Sequence, residues 1–305
     1  EFTEFITNVE VAHVHSGETH YFSTTKASKI SVWSAKNCAF NQLIFTTYHS
    51  LHKVIDSGIH VDTIYYDEAH NGTQKNFFEA VKGITADRKY YFTATPKMSK
   101  SGAENGMGNS KVWGQVICNV PAKTLIDTGA ILPPKVVPFP TNRVRNKDNA
   151  HDVDADNLQD MIDSLDDGNH KILVSAPSSK ILGKMLGHTP ILDYLTTNGY
   201  DVLHITSKFG AIINGKKVGR EKFFDTLTKW GADNDRKFVI FHYSILSEGI
   251  NVNGLTHTIL LRNLPIIEMA QTIGRVIRVH KDDRKAVAEG LIPSGAFHLY
   301  KKAFG

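Results

Sequence analysis

Cysteine is almost absent from this sequence: the 305 residues contain two, Cys38 and Cys118, which lie far apart. Two isolated cysteines cannot build a disulfide scaffold, and their spacing is not that of a zinc site. The sequence also lacks any apolar run near the ~18 residues that a membrane-spanning helix requires. We therefore predict a globular protein without a membrane partner, located in the reducing cytoplasm, or in the host cytoplasm if it is viral.

Charge is unevenly distributed, although the net charge is only +4. Residues 1–130 contain 12 basic and 12 acidic side chains, whereas residues 208–305 contain 16 Lys and Arg against 9 Asp and Glu. A basic half can bind a polyanion, because each neutralised phosphate releases counterions. A merely soluble surface is consistent with the same counts, so charge suggests a partner without identifying it.

Short runs of Ile, Val, Tyr and Phe alternate with helical patterns along the whole chain. The predicted strands cover residues 9–15, 43–46, 63–66, 90–93, 171–175, 202–205, 238–242 and 258–261. The predicted helices include residues 76–84, 158–165, 180–198 and 220–230. Such alternation predicts βαβ units and parallel sheets, that is, an α/β fold that binds ligands at the C-terminal ends of its strands.

A proline-rich segment marks the predicted joint between two domains. Residues 121–140 contain five of the ten prolines in the chain. Proline restricts φ and disfavours a helix before it, so we expect a stiff, extended connector here. The predicted domains are residues 1–130 and 131–305, with the boundary near Ile131.

The strongest chemical signal is an apolar strand that ends in two adjacent carboxylates. Residues 64–70 read IYYDEAH, which places Asp67 and Glu68 directly after a predicted strand. A carboxylate at a strand end can hold Mg²⁺ through water, and its neighbour can take a proton from an attacking water. Taken alone, the same residues are equally consistent with an ordinary polar turn.

Three further segments follow in order: FTATP at residues 92–96, SEGIN at 247–251 and QTIGRVIR at 271–278. Together with DEAH at 67–70, they resemble motifs II, III, V and VI of the superfamily-2 helicases and translocases. The segment FTTYHSL at 45–51 resembles a segment that precedes motif II in the DNA-directed branch, which holds restriction-enzyme motors and phage recombination helicases of the UvsW kind. The resemblance to this DEAH-type family covers nearly the whole chain.

This resemblance implies two tandem RecA-like domains that use ATP and Mg²⁺ and act on nucleic acid, with single-stranded or branched DNA favoured over RNA. Asp67 would hold Mg²⁺ through water, and Glu68 would orient and deprotonate the attacking water. His70, Thr93 and Thr95 would couple hydrolysis to domain movement.

The resemblance also implies nucleotide contacts in the second half. Arg275 and Arg278 lie three residues apart and would share a helix face, from which guanidinium groups could offset charge on the γ-phosphate. Gln271, one turn earlier, would help to sense the nucleotide. Gly249 would let the backbone approach the nucleotide, and Asn251 stands where the family usually has Asp. A solvated basic helix face is the alternative interpretation of the two arginines.

Small hydroxyl side chains at predicted strand ends match family positions that grip the nucleic-acid backbone. Hydroxyls suit phosphate contacts that do not read bases. Each is by itself also typical of a turn or a helix cap. The residues are Thr46 and Thr47 in the first half and Ser175, Ser178, Thr206 and Ser207 in the second.

One element of such a motor is missing, the phosphate-binding loop G-x-x-x-x-G-K-[ST]. No match precedes Asp67, so we expect a fragment that begins after this loop, with an incomplete first domain and no ATPase activity of its own. Residues 210–217, GAIINGKK, come close, but Lys217 occupies the Ser/Thr position. We therefore interpret that segment as a loop of the second domain rather than a phosphate site.

Three functions remain open on this sequence. The first is an ATP-dependent helicase or translocase in recombination, repair or branched-DNA remodelling. The second is a nucleic-acid-binding or annealing protein without ATPase activity, and the third is the motor subunit of a restriction enzyme.

Overall fold

The computed structural model describes residues 5–17, 19, 21–99, 103–243, 254–277 and 303–304. Its chain divides into two compact units, Glu1–Asn119 and Val120–Gly305, here called unit 1 and unit 2. The proline-rich segment in which we placed the boundary belongs to unit 2. No helix in the described ranges is both long and apolar enough to cross a membrane.

Unit 1 contains two parallel sheets among its described residues. One has the order β2-β1-β3, and the other is the pair β4-β5. The strands are β1 Val9–Val14, β2 Phe22–Ser23, β3 Asn41–Thr46, β4 Thr63–Tyr66 and β5 Arg88–Tyr91. The helices are α1 Ala27–Lys36, α2 Leu51–Asp56, the 3-10 helix Ala69–Thr73, α3 Lys75–Gly83 and α4 Ser110–Trp113.

The core of unit 1 is built around aromatic side chains at the end of β4. Tyr66 is buried and stacks on Tyr91 of β5 with ring centroids 4.8 Å apart, and Trp113 packs edge-on against Tyr91 at 5.1 Å. Such pairs add stabilisation of roughly 0.5–1.5 kcal/mol to the area they bury. Because Tyr66 directly precedes Asp67, this packing fixes the strand end that carries the two carboxylates.

Unit 2 contains one eight-stranded sheet with the order β10-β9-β8-β11-β7-β12-β13-β6. Its neighbours pair in parallel except at β9, which is antiparallel to both β8 and β10. The strands are β6 Lys135–Val136, β7 Lys171–Ser175, β8 Asp201–Thr206, β9 Gly210–Ile213, β10 Lys216–Val218, β11 Phe238–His242, β12 His257–Leu260 and β13 Ala303–Phe304. The helices are α5 Ala122–Asp127, α6 Ala150–Asp163, α7 Ser179–His188, α8 Ile191–Thr197, α9 Arg220–Ala232 and α10 Ile266–Val276.

The central strands β7 and β11 are buried on both faces. Ile172 and Val174 of β7 belong to an apolar cluster with α6, α7 and α8, whereas Leu173 belongs to a second cluster with α9 and α10. Alternate residues of a strand point to opposite faces, so helices cover both sides of this sheet. The predicted α/β fold with parallel sheets is therefore confirmed.

Two local predictions were wrong. The helix predicted over residues 180–198 is two helices, α7 and α8, because Pro190 lacks a backbone donor and cannot continue a helix. Residues 210–217 form an antiparallel hairpin rather than a loop, with Asn214 and Gly215 at φ 45° and 75° in its turn. Positive φ at both positions is what a two-residue hairpin turn requires. A phosphate-binding loop leads from a strand into a helix, so this hairpin is not one.

We predict that Gly254→Ala lowers the free energy of unfolding of unit 2 by at least about 2 kcal/mol more than Gly199→Ala does. Both glycines have positive φ, +77° and +78°, so both variants carry the same backbone strain. A Cβ at Gly254 would lie 2.1 Å from the carbonyl oxygen of Gly231, whereas nothing lies within 4 Å at Gly199. Chemical denaturation measures the difference, and equal losses in the two variants would contradict it.

Candidate functional site

The two carboxylates of unit 1 lie in a strained turn directly after β4. Glu68 has φ 46° and ψ 49°, a left-handed conformation that costs a non-glycine residue roughly 1–2 kcal/mol. The Asp67 carboxylate accepts a hydrogen bond from the Glu68 backbone N–H at 2.9 Å, and the Tyr48 hydroxyl donates to the Asp67 carbonyl oxygen at 2.8 Å. Strain that neighbouring contacts maintain is typical of functional turns.

His70 lies at the centre of the residues that were predicted to couple hydrolysis to movement. It is 4% exposed, and its Nδ1 lies 3.0 Å from the Thr93 hydroxyl and 3.3 Å from the Thr95 hydroxyl. The Thr93 hydroxyl also accepts a hydrogen bond from the Thr95 backbone N–H at 3.1 Å. A Glu68 carboxylate oxygen lies 3.4 Å from the same Nδ1. One imidazole nitrogen thus contacts Glu68 and both threonines.

Backbone pairing beyond the ends of β4 and β5 brings these residues together. Phe92 N–H donates to the Tyr66 carbonyl oxygen at 2.9 Å, and Ala69 N–H donates to the Phe92 carbonyl oxygen at 2.8 Å. The two strand ends are therefore held side by side where their polar residues begin. Sequence spacing places the polar residues after the strands, and this pairing makes them neighbours.

The acid pair fits a magnesium site. Asp67 is exposed and Glu68 is about one-third exposed, so both carboxylates are accessible to solvent. Mg²⁺ keeps several waters and uses one or two protein carboxylates together with phosphate oxygens. A single exposed aspartate beside a second carboxylate satisfies that requirement.

Unit 2 contains a buried polar pair that the sequence did not reveal. The Ser175 hydroxyl at the end of β7 lies 2.9 Å from Nε2 of His242 at the end of β11, and both residues are almost fully buried. Burial, and then the positive charges of Arg275 and Arg262, lower the pKa of His242 to about 3. The imidazole is therefore neutral at physiological pH, and the two nearby guanidinium groups favour that neutral form.

Helix α10 carries the second predicted nucleotide-binding group. Arg275 is 6% exposed, so it lies in the interior of unit 2 rather than on a solvated basic face. Gln271 is half-buried, and its Nε2 is buried without a hydrogen-bond partner among the described residues. The two side chains are four residues apart and share a helix face. The other predicted members, Arg278, Gly249 and Asn251, lie outside the described residues.

Arg262 is a further cation of this region that sequence reasoning missed. Its guanidinium donates to the Tyr243 carbonyl oxygen at 2.9 Å, pairs with Glu268 at 3.2 Å and lies over the Tyr243 ring at 4.8 Å. These contacts join the end of β11 to the first turn of α10. No motif contains Arg262, because the residues that it connects are distant in sequence.

The predicted backbone-gripping hydroxyls fall into two groups. Thr46, Thr47 and Ser207 are exposed, so they remain candidates for phosphate contacts, although the Thr46 hydroxyl donates to the Val14 carbonyl oxygen at 3.2 Å. Ser178 accepts a hydrogen bond from the Ile181 N–H at 3.1 Å and caps α7.

For the two remaining hydroxyls, Ser175 and Thr206, the structure corrects the prediction. The Ser175 hydroxyl is buried against His242, and Thr206 is 2% exposed with its hydroxyl accepting from the Phe209 N–H at 3.0 Å. A buried hydroxyl that already has a partner cannot reach a phosphate. We therefore withdraw both side chains as contacts.

Comparison with known proteins identifies the fold. No family model and no curated protein matches the chain. Among solved structures, the chain is similar to an ATP-dependent type ISP restriction-modification enzyme, LlaBIII, bound to DNA, with a TM-score of 0.62 and 13% identity over 97% of this chain and 22% of that one. It is also similar to a fragment of a putative HsdR subunit of a type I restriction enzyme from Vibrio vulnificus YJ016, with a TM-score of 0.57 and 16% identity over 97% and 52%.

A third similar structure is the DEAD-box helicase Mss116 bound to ssRNA and UDP-BeF, with a TM-score of 0.52 and 13% identity over 96% of this chain and 52% of that one. The chain thus spans between about a fifth and about half of the matched proteins. At these identities the similarity shows the fold, which is that of RecA-like helicase domains. The fold that the motifs implied is confirmed.

We predict that the stability of unit 2 decreases in acid through His242. Its folded pKa, about 3, is below the unfolded value of 6.5, so protonation favours the unfolded chain. This contribution is fully present above pH 6.5 and is lost as the pH falls towards 3, by up to about 1.4 kcal/mol per pH unit. Denaturant unfolding between pH 7 and pH 4.5 should show a steeper decrease for the wild type than for His242→Gln.

The control for this prediction is Ser175→Ala, which removes the hydroxyl partner but keeps the imidazole. It should lower the unfolding free energy at neutral pH and retain the decrease in acid. If His242→Gln has the same pH dependence as the wild type, the buried imidazole is not the acid-sensitive group.

Proposed function

We propose that this chain carries the motor domains of an ATP-dependent helicase or translocase that acts on DNA. The observation that carries the proposal is the contact of one buried imidazole, His70, with Glu68 and with two threonine hydroxyls. This group lies at a strand end in a fold of the helicase type. Two free cysteines suit the cytoplasm, where we place the protein.

Glu68 is the proposed base for ATP hydrolysis. Mg²⁺ would neutralise phosphate charge, and Asp67 would hold it through water. The Glu68 carboxylate would orient the attacking water and accept its proton. The two carboxylates have different contacts, since Asp67 accepts from the Glu68 N–H and Glu68 lies 3.4 Å from His70, so that one would serve the metal and the other the water.

His70 is the proposed link between hydrolysis and movement. Its Nδ1 is shared between the Glu68 carboxylate and the hydroxyls of Thr93 and Thr95. A proton gained by Glu68 removes the negative charge that faces Nδ1, which changes the hydrogen bonding available to both threonines. The backbone after β5 would therefore respond to the state of the base.

In unit 2, Arg275 and Arg278 would offset charge on the γ-phosphate, and Gln271 would contact the nucleotide. Preorganised guanidinium groups in a water-poor site act strongly on developing phosphate charge. The shared helix face of Arg275 and Gln271 supports this role, since both side chains can then contact the same nucleotide. Gly249 and Asn251 would complete the nucleotide contacts.

Hydrolysis by this route also requires a phosphate-binding loop, which no segment before Asp67 supplies. The proposal therefore assigns turnover to a protein that brings such a loop to unit 1, and we expect this chain alone to be inactive. Among the described residues β5 pairs only with β4, and Tyr65 on the neighbouring strand is 68% exposed. Unit 1 thus has an open sheet edge that could accept a further strand.

DNA, single-stranded or branched, is the proposed partner, bound mainly through its phosphates. Thr46 ends β3, and Thr47 and Ser207 directly follow β3 and β8; all three residues are exposed at strand ends, where parallel sheets bind ligands. The excess of Lys and Arg in residues 208–305 supplies the positive charge that this binding requires.

We predict that Glu68→Gln lowers ATP turnover by about 10²–10⁴-fold in the full-length protein that carries this sequence, because the amide cannot accept the proton. Nucleotide binding, followed with a fluorescent ATP analogue, should be retained. The matched control Glu79→Gln removes a carboxylate from α3, away from the acid pair, and should leave turnover unchanged. Undiminished turnover in Glu68→Gln would refute the assignment, and DNA binding without any turnover in the wild type would favour the annealing function.

We predict that Thr95→Val reduces the stimulation of ATP turnover by DNA at least about threefold, while turnover without DNA changes less. The substitution preserves the side-chain shape but removes the hydroxyl that lies 3.3 Å from His70 Nδ1. A hydrogen bond of this kind contributes roughly 1 kcal/mol to stability. Thr85→Val, in the exposed loop before β5, is the control. Equal stimulation in the wild type and Thr95→Val would exclude Thr95 from coupling.

A further inference from the structure

A group of exposed cations surrounds the β9–β10 hairpin. Residues 208–222 contain five basic side chains and one acid, Glu221. All five cations are exposed, and within the described ranges of the chain none of them forms an ion pair. We call them the hairpin cations: Lys208, Lys216, Lys217, Arg220 and Lys222.

The hairpin is held rigidly on the sheet. The Asn214 side-chain amide donates to the Asp201 carboxylate at 2.7 Å, and its oxygen accepts from the Val202 N–H at 2.8 Å. The Asn214 N–H donates to the Val202 carbonyl oxygen at 2.8 Å. The turn is therefore held at the start of β8, which defines the backbone positions of the lysines that follow it.

The strand register places the hairpin cations along the outer edge of the sheet. Strand β10 is outermost in the strand order, and Lys216 and Lys217 pair with Ile213 and Ile212 of β9. Consecutive strand residues point to opposite faces, so these two lysines lie on either side of the edge strand.

Two more cations lie at one end of this edge. Strand β10 runs parallel to β8, since both are antiparallel to β9. Strands β8 and β10 therefore end on the same side of the sheet. Arg220, two residues after β10, lies on that side together with Lys208, which follows β8. Positive charge thus extends from Lys216, at the start of β10, to the strand ends where Ser207 is exposed.

The chemistry of the hairpin cations suits a chain of phosphates rather than a bound nucleotide. Residues 210–217 form strands β9 and β10 and their turn, so they do not lead from a strand into a helix as a phosphate-binding loop does. Flexible lysine ammonium groups act instead as point charges, which bind a phosphate backbone without reading its bases.

We propose that the hairpin cations bind the phosphate backbone of single-stranded DNA, as a contact surface additional to the strand-end hydroxyls. This proposal rests on the proposed function, which supplies the nucleic acid partner. The surface would extend the DNA path across unit 2 to the outer edge of its sheet.

The test is the salt dependence of DNA binding by the 305-residue chain. A fluorescein-labelled single-stranded oligonucleotide of mixed sequence is titrated between 50 and 200 mM NaCl by fluorescence anisotropy. Each phosphate contact contributes about 0.7 to the slope of log K against log salt concentration. Lys216→Gln/Lys217→Gln should therefore lower the slope by about 1.4, and Lys216→Arg/Lys217→Arg should restore it.

The matched control is Lys135→Gln/Lys147→Gln, which removes the same charge from exposed positions of unit 2; Lys135 lies on β6, at the opposite edge of the sheet from the hairpin. Its slope should remain that of the wild type, and unfolding curves should show that all variants are folded. If both glutamine pairs change the slope equally, the effect comes from net charge and the hairpin proposal fails. The lysines of β10 would then serve only to oppose pairing of the sheet edge with another strand. If the wild type does not bind DNA at all, both the hairpin proposal and the proposed function fail.

Discussion

The parallel pairing of β4 with β5 is the constraint on which the candidate site of unit 1 depends. Two backbone hydrogen bonds, from Phe92 to Tyr66 and from Ala69 to Phe92, continue this pairing beyond the strands. They place a carboxylate, an imidazole and two hydroxyls within hydrogen-bonding range, although the residues come from segments about 25 positions apart. The aromatic stack beneath them prevents the strand ends from separating. Without this pairing, the motif residues would be two unrelated polar turns.

Unit 2 builds its site by a different means, the burial of charge. Arg275 and Arg262 lie near one imidazole, which remains neutral because burial and both guanidinium groups oppose its protonation. Ser175 gives the neutral ring a partner that carries no charge. Arg262 also pairs with Glu268, so its charge has an anionic partner within unit 2. The acids of unit 1 are by contrast accessible to solvent, as metal binding and proton transfer from water require.

The lysines at the outer edge of the unit 2 sheet affect both strand pairing and surface charge. Antiparallel strands β9 and β10 end an otherwise parallel sheet, and lysines on the last strand oppose pairing with another sheet. Because Asn214 anchors the hairpin turn, the backbone that carries these lysines is held in place on the sheet. The pattern G-x-x-x-x-G-K arises here because Gly210 and Gly215 have the positive φ that the hairpin requires at those positions.

The sequence by itself determined the α/β class, the bounds of β4, β7 and β11, and the identity of the acid pair, because buried apolar runs and the polar residues after them are local patterns. Tertiary structure decided which of those polar residues are accessible. Ser175 and Thr206 are small hydroxyl residues at strand ends, as surface contacts often are, yet neighbouring elements cover them. It also decided the partners of His242 and Arg262, which appear in no motif. The reason is physical. A local pattern records whether a residue follows a strand, whereas burial and contact depend on which strands and helices become its neighbours.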